Sequence, residues 1–180
     1  MGGIVASTKF EYDNLLNLGY KENEIMTCGM PRFDLLTKYD SKVKKILFAP
    51  SWRSGLLESE DFYHSTFYIN YAKFLQSKDL YMLLKEKDLY LDVQIHPMFS
   101  KYKKDFLQFE NDRIHLVKSA NAGNYRCLIT DFSSMMFDFV YLKLPVISFF
   151  PDKSELKNTH NYSEFYYPID NGFPICCDSL

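Results

Sequence analysis

One stretch of the sequence decides the fold: Leu128-Ile-Thr-Asp-Phe-Ser-Ser-Met-Met-Phe-Asp-Phe-Val-Tyr-Leu142. An apolar run ends at Asp131, and apolar residues then resume at helical spacing. This order predicts a buried strand, a polar turn and a helix whose first N–H groups donate hydrogen bonds to Ser133 or Ser134. Such a turn brings hydroxyls and N–H donors to the carboxyl edge of a parallel sheet, where open α/β folds bind phosphorylated ligands. Helix capping alone would also account for the two serines.

The alternation of strand and helix recurs along the chain. Strands are predicted near residues 24–29, 45–50, 90–95, 113–117, 126–130 and 145–150. Helices are predicted over 6–18, 31–39 and 133–143, with one broken helix or two consecutive helices over 65–87. This order predicts an α/β fold with a doubly wound parallel sheet. The helix over 133–143 is apolar on nearly all sides, which predicts burial. We further expect 158–167 to line the site, and 176–180 to lead into a helix that is truncated.

Composition limits the kind of partner. The chain has 180 residues, 47% of them hydrophobic, and a formal net charge of −2. This length is sufficient for one well-buried domain. Because no basic surplus exists, we expect no nucleic-acid partner and no general attraction to an anionic membrane. Any phosphate binding must come from local groups.

The sequence also bears on the compartment. It has no apolar run of membrane-spanning length and no signal-peptide pattern at its start. The paired spacing of a zinc site is absent from its four cysteines, Cys28, Cys127, Cys176 and Cys177, so we expect free thiols in a reducing compartment. A cytoplasmic location follows. The Lys101 to Lys104 run is most simply a solvated helix face, with peripheral contact to anionic lipid as the alternative.

Several polar side chains follow predicted strands. Ser51 and Arg53 come just after Pro50, and a guanidinium offers a planar fork of donors to a phosphate; a structural role for Arg53 stays equally open. Trp52 is better explained by packing than by base stacking. His96 precedes a proline and is held extended at a strand end, although a lone histidine is commonly structural.

Four segments, in this order, resemble the CDP-glycerol glycerophosphotransferase family, whose members prime or polymerise teichoic acids and related glycerol- or ribitol-phosphate polymers. They are Cys-Gly-Met-Pro-Arg-Phe-Asp at 28–34, Ile-Leu-Phe-Ala-Pro-Ser-Trp-Arg at 46–53, Ile-His-Pro at 95–97 and Ile-Thr-Asp-Phe-Ser-Ser-Met-Met-Phe-Asp at 129–138. The resemblance extends from about Ile4 to the end of the chain.

The resemblance implies a domain organisation. The family has the two-domain GT-B architecture, with an acceptor-side N-terminal half and a donor-binding C-terminal half. Residues 1–40 would be a connecting segment from the N-terminal half, and 41–180 a Rossmann-like nucleotide-donor-binding domain. The family's His-Gly-Thr motif, whose His is assigned as the catalytic base, does not occur here. The missing N-terminal half is therefore an expected partner, and we expect this chain alone to be inactive.

The resemblance also implies roles for single residues. His96 is the catalytic residue, which contacts the donor diphosphate and steadies charge on the leaving nucleotide. Ser133 and Ser134 bind the same diphosphate together with the helix N-terminus. Ser51 and Arg53 line the pocket.

Three further positions lie in the last motif. By analogy with sugar-nucleotide epimerases, Asp138 accepts hydrogen bonds from ribose hydroxyls; a carboxylate in so apolar a helix needs a partner or the site. Asp131 belongs to the site, where it fixes the turn rather than touching the ligand. Phe132 replaces the tyrosine usual in the family.

The implied reaction is transfer of glycerol phosphate or ribitol phosphate from a CDP-polyol such as CDP-glycerol to a hydroxyl of a polymer or lipid-linked acceptor. We expect no cofactor and no metal, since no carboxylate cluster demands a divalent ion. The alternatives are a nucleotide-sugar glycosyltransferase or epimerase of the same architecture, and a non-catalytic nucleotide-binding module.

Overall fold

The first of two units, Met1–Thr37, contains a parallel pair of strands joined through a helix. The computed structural model describes residues 3–36, 40, 42–57 and 61–153, and the backbone of 175–177. Strands β1 (Ile4–Ala6) and β2 (Ile25–Thr27) flank helix α1 (Lys9–Asn17). A short 3-10 turn at Pro31–Leu35 lies in the predicted 31–39 helix, whose residues 37–39 fall outside the described part.

Helix α1 has a well-defined start and end. The Thr8 hydroxyl accepts a hydrogen bond from the Glu11 N–H at 3.1 Å, and the Glu11 carboxylate accepts from the Thr8 N–H at 3.2 Å. This capping box satisfies two donors that the helix itself leaves unpaired. Gly19, with φ +93°, follows the last turn in a conformation that a side chain would disfavour.

The second unit, Lys38–Leu180, is built on a parallel sheet of six strands. In chain order these are β3 (Lys45–Phe48), β4 (Tyr90–Val93), β5 (Ile114–Leu116), β6 (Cys127–Thr130), β7 (Val146–Phe149) and β8 (Ile175–Cys177). Their order across the sheet is β5-β4-β3-β6-β7-β8, and every neighbouring pair is parallel. The chain thus winds one way from β3 and the other way from β6. This doubly wound order confirms the predicted fold class.

One face of the sheet carries an aromatic core. Helices α2 (Thr66–Leu75), α3 (Lys78–Glu86) and α4 (Lys103–Phe106) contribute to it, and the predicted 65–87 segment is therefore two consecutive helices. Ser65 and Ser77 cap α2 and α3, each accepting a hydrogen bond from an N–H three residues later. Fully buried core side chains include Phe48, Phe67, Tyr71, Leu84, Leu91, Phe99 and Phe106.

Helix α5 (Met136–Tyr141) packs on β6 and β7 and differs from its prediction in two ways. It begins three residues later than residue 133, because Ser133 and Ser134 form a turn whose carbonyls accept from N–H groups three residues on. It is also not buried on all sides: Met136 and Phe139 are buried, but Tyr141 is 55% exposed. The predicted burial on all sides is therefore wrong, because the short helix buries only one stripe of its apolar residues.

The remaining predictions concern the C-terminal part and membrane insertion. Strand β8 adds to the sheet beside β7, and the expected segments at 158–167 and 178–180 lie outside the described residues. Among the residues that the structure describes, no helix has both the length and the apolar character needed to cross a bilayer.

Candidate functional site

The predicted site residues gather at one edge of the sheet. Parallel strands present their carboxyl ends on the same side, and β4, β3 and β6 are neighbours. The winding reverses between β3 and β6, and in open α/β folds such a switch point forms the ligand crevice. Residues that follow these three strands are Ser51 and Arg53 after β3, His96 after β4, and Asp131, Ser133 and Ser134 after β6, while Asp138 lies on α5.

Arg53 is fully buried and surrounded by oxygen acceptors. Its Nε and Nη2 atoms donate to the two carboxylate oxygens of Asp152 at 2.6 and 2.8 Å. Its Nη1 donates to Oδ2 of Asp131 at 2.8 Å and to the carbonyl of Ser51 at 3.1 Å. All three nitrogens of the guanidinium are thus engaged within the protein. Of the two roles left open by the sequence, this geometry favours the structural one.

Three aromatic rings surround the same guanidinium. The Cζ atom of Arg53 lies 4.9 Å from the ring centre of Phe67, 4.8 Å from that of Phe132 and 5.4 Å from that of Phe150. Ring faces attract a desolvated cation. Burial works to lower the pKa of Arg53, but Asp131 and Asp152 outweigh it and hold the pKa above its ordinary value. The cation therefore stays charged.

Asp131 joins the loops that follow β3 and β6. Both of its carboxylate oxygens accept from the Ser51 N–H at 3.0 Å, and Oδ1 also accepts from the Phe132 N–H at 2.7 Å. The hydroxyl of buried Tyr71 lies 3.4 Å from Oδ2. Burial, with a further contribution from Asp131, raises the pKa of Tyr71 well above its ordinary value, so the phenol remains a donor. These contacts support a turn-fixing role for Asp131.

Two buried hydroxyls hold the ends of the same strands together. The Thr130 hydroxyl donates to the carbonyl of Ala49 at 2.6 Å, linking β6 to the loop after β3. The Ser148 hydroxyl donates to the carbonyl of Asp131 at 3.1 Å, linking β7 to the loop after β6. Buried polar groups cost free energy unless they are paired, and here each pair ties two neighbouring strands.

His96 is half-buried, and its ring orientation is set by the backbone. Its Nδ1 accepts a hydrogen bond from the Met98 N–H at 3.2 Å, so the neutral ring carries its proton on Nε2. Burial lowers the pKa of His96, and the charge of Asp131 opposes this only in part. A neutral imidazole with an Nε2–H donor therefore results near pH 7. Its ring stacks on Trp52, with ring centres 6.1 Å apart and planes at 29°.

The serine turn lies before α5. Ser133 is half-buried, and its hydroxyl accepts from the Met135 N–H at 3.3 Å, while Ser134 is exposed. Helical-type hydrogen bonds then run from the N–H groups of residues 136, 137 and 138 to the carbonyls of residues 133, 134 and 135. Ser133 thus closes a local turn, whereas the N-cap residue of α5 is Met135, which makes no side-chain cap hydrogen bond. The prediction that Ser133 or Ser134 is the cap residue of this helix is therefore wrong, because the helix begins later than expected. Asp138 is half-buried in the first turn of α5.

Sequence reasoning did not single out Asp152 or the hydroxyl of Tyr71. Tyr71 belongs to a stripe of aromatic residues at helical spacing, which gives no sign that its hydroxyl reaches a carboxylate. Asp152 did carry a signal. It stands shortly after the predicted strand at 145–150, at the same edge as Asp131 and Arg53, and a carboxylate there is a candidate partner for a buried cation.

Among the residues that the structure describes, no three or more histidine, cysteine, aspartate or glutamate side chains lie together in a group that could hold a metal ion. The cysteines that can be described, exposed Cys28 and buried Cys127, are free thiols.

Comparisons with known proteins bear on this arrangement. The family model described as CDP-Glycerol:Poly(glycerophosphate) glycerophosphotransferase matches residues 15–174. The minor teichoic acid biosynthesis protein GgaB of Bacillus subtilis (strain 168) is 29% identical over an alignment of 169 residues, which covers 84% of this chain and 18% of GgaB. The teichoic acid ribitol-phosphate primase of Bacillus spizizenii is 27% identical over an alignment of 175 residues, which covers 86% of this chain and 41% of the primase.

Among solved structures, the wall teichoic acid polymerase TagF has a TM-score of 0.71 with this chain at 22% sequence identity. The alignment covers 98% of this chain and 45% of the TagF chain, so it shows a shared fold over less than half of TagF. The chain likewise spans less than half the length of both curated relatives. Because the family model matches most of its residues, the chain belongs to the CDP-glycerol:poly(glycerophosphate) glycerophosphotransferase family.

Proposed function

We propose that this chain supplies the donor site of a transferase that moves glycerol phosphate or ribitol phosphate from a CDP-polyol to a hydroxyl of a polymer or lipid-linked acceptor, with release of CMP. The observation that carries the proposal is the placement of His96 and the Ser133-Ser134 turn at the carboxyl edge of the sheet, after the two strands that flank β3. Membership of the family, and relatives whose names include a teichoic acid ribitol-phosphate primase, support the same reaction class.

The proposed reaction needs positioning and charge stabilisation more than covalent chemistry. The acceptor hydroxyl forms a bond to the phosphorus that bears the polyol, and the bond from that phosphorus to the CMP oxygen breaks. The acceptor proton leaves to a base that these site residues do not include. Negative charge therefore develops on the phosphate of the departing CMP, and that charge is what the site must stabilise.

His96 is suited to this task because its neutral tautomer presents an N–H. Nδ1 is held by the Met98 N–H, so Nε2 is the nitrogen that donates to a phosphate oxygen. A hydrogen bond from an imidazole strengthens as the acceptor oxygen becomes more negative, and a preorganised donor of this kind stabilises the transition state more than the ground state. The Ser133 and Ser134 hydroxyls would contact the same diphosphate.

The remaining residues take supporting or specificity roles in the proposal. Asp138 would accept hydrogen bonds from the ribose, and Ser51 would line the pocket with its hydroxyl. Arg53 and Asp131, both fully buried, would act on the ligand only through the loops that they hold. This assignment revises the expectation that Arg53 contacts the donor.

The whole reaction requires more than this chain in our proposal. Residues 1–40 would be the connecting segment from the acceptor-side half, and that half would supply the base and the acceptor site. The chain alone would then bind the donor without turnover. We propose a cytoplasmic enzyme, with peripheral contact to the inner face of the membrane where a lipid-linked acceptor is used.

A binding titration tests the donor site. Trp52 is the only tryptophan of the chain and stacks on His96, so its fluorescence should report a ligand at this edge. We expect CDP-glycerol or CDP-ribitol to change the emission and, at about 100 times Kd, to stabilise the fold by about 2.7 kcal/mol. That corresponds to a rise of about 5–10 °C in the thermal midpoint.

Matched variants complete the test. His96→Ala should weaken binding of the CDP-polyol, whereas His64→Ala, which removes an exposed histidine, should leave it unchanged. Selective binding of UDP-GlcNAc over cytidine nucleotides would favour a nucleotide-sugar enzyme of the same fold. Binding of no nucleotide by the folded chain would refute a self-sufficient donor site.

A further inference from the structure

The ion cluster beneath the serine turn spans three neighbouring loops. Arg53 lies in the loop after β3, Asp131 in the loop after β6 and Asp152 in the segment after β7, and these strands are adjacent in the sheet. Their side chains are 0%, 0% and 3% exposed. We call this cluster the Arg53 triad. It fastens the carboxyl ends of half of the sheet's strands to a single guanidinium.

Within the triad, Asp152 sets the orientation of the guanidinium. Its two oxygens pair with Nε and Nη2 at 2.6 and 2.8 Å, which is the two-pronged arrangement that fixes a guanidinium in its plane. With that plane fixed, Nη1 is aimed at Asp131 and at the Ser51 carbonyl. The position of Asp131 therefore depends on Asp152 through Arg53.

Asp131 connects the triad to the backbone of the loops that would face the ligand. Its carboxylate accepts hydrogen bonds from the N–H groups of Ser51 and Phe132, and Phe132 directly precedes the serine turn. The Phe132 ring also packs on the Arg53 guanidinium and on the Phe150 ring, and the two ring centres are 5.3 Å apart. Side chains and backbone thus form a continuous path from Asp152 to Ser133.

Stability alone is a poor reason for such a cluster. It places two carboxylates and one guanidinium, with a formal net charge of −1, in a site closed to solvent. Desolvation of buried ions offsets much of their attraction, and apolar residues of similar size commonly stabilise a core as well or better. Ion pairs do fix geometry more narrowly than apolar contacts, because their hydrogen bonds are directional.

We propose that Asp152 is a positioning residue for the donor site, holding Arg53 and Asp131 so that the Ser51 loop and the serine turn keep the spacing that a diphosphate requires. This inference rests on the proposed function. Asp152 itself touches neither the ligand nor the reacting atoms; it acts through Arg53. A misplacement of about 1 Å in such a site can cost on the order of 100-fold in function, so even a small relaxation of the loops matters.

The test compares Asp152→Asn with Leu84→Ala in the 180-residue chain. Asp152→Asn keeps the shape and removes the charge. Leu84 belongs to the aromatic core but lies in the last turn of helix α3. Its carbonyl accepts a hydrogen bond from the Leu89 N–H just before β4, so Leu84 lies at the amino edge of the sheet. Both changes should lower the thermal midpoint. Only Asp152→Asn should weaken CDP-glycerol binding, by about tenfold, when both are measured well below their midpoints.

Amide exchange gives a second readout that does not need the ligand. In Asp152→Asn the Ser51 and Phe132 amides should exchange about tenfold faster than in the wild type, while amides of β4 keep their rates. Leu84→Ala should not single out these two amides. If Asp152→Asn does not fold, Asp152→Glu retains the charge and displaces the carboxylate by one methylene, and the same two effects are expected.

The outcomes separate the two hypotheses. Wild-type binding together with unchanged affinity and exchange in Asp152→Asn would overturn the positioning role. Equal losses of affinity in Asp152→Asn and Leu84→Ala would also overturn it, because general destabilisation would then suffice. A wild-type chain that binds no CDP-polyol would refute the proposed function instead, and the exchange rates of Ser51 and Phe132 would still show whether Asp152 holds the loops.

Discussion

Replacing Arg53 by methionine is the perturbation for which the structure predicts the largest loss of stability. Methionine fills a similar apolar volume among the three rings but removes the cation, and it leaves Asp131 and Asp152 buried without their shared partner. Removal of one member of a buried ion pair costs about 3–5 kcal/mol. Because two carboxylates lose the same cation here, we expect about 5 kcal/mol, or a midpoint lower by about 10–20 °C.

Urea unfolding followed by far-UV circular dichroism measures this change. A lysine at position 53 keeps a positive charge but lacks the planar fork, so Arg53→Lys should give an intermediate loss. Adding Asp152→Leu to Arg53→Met should recover part of the stability, because it removes one uncompensated carboxylate. An additive, further loss in the double variant would contradict the assigned pairing.

The stability of Arg53→Met should also depend on pH in a characteristic way. An uncompensated buried carboxylate favours its protonated form, so the folded variant binds more protons than the unfolded chain. Its stability should therefore rise relative to wild type as the pH falls from about 8 to about 5. A variant that stays within about 1 kcal/mol of wild type, with no such trend, would refute the account of the triad as a buried ion cluster.

Three further predictions concern single groups elsewhere. Burial holds the pKa of His96 below its ordinary value of 6.5, so near that pH the native chain binds fewer protons at His96 than the unfolded chain does, and the fold loses stability as the pH falls below 6.5. The midpoint of the Trp52 emission change on acidification should therefore lie below pH 6.5, and His96→Gln should abolish this change. Thr8→Ala removes the cap of α1 and should cost about 1 kcal/mol, seen as about fivefold faster amide exchange within that helix. Burial raises the pKa of the Cys127 thiol to about 11, so peptide mapping after mild alkylation should find Cys28 modified and Cys127 protected in the folded chain.

Most of the secondary structure could be predicted from local sequence patterns. Strands from β2 to β7 lie within their predicted ranges, because short apolar runs bounded by proline, glycine or polar residues carry a local signal. Strand β1 (Ile4–Ala6) was not predicted, and α5 was misjudged because its apolar residues on nearly all sides indicated burial. Which side of a helix is covered depends on what packs against it, and in α5 Met136 and Phe139 are buried whereas Val140 and Tyr141 are exposed.

The sequence by itself determined which side chains reach the carboxyl edge, because residues that directly follow parallel strands lie at the same edge of the sheet. Only the tertiary structure decided what each of them does there. Arg53 is separated from Asp131 by 78 residues and from Asp152 by 99. The sequence around an arginine next to a strand end has the same pattern whether its guanidinium binds a phosphate or two carboxylates. Its role depends on partners that folding brings close from distant parts of the chain, and no local pattern encodes such contacts.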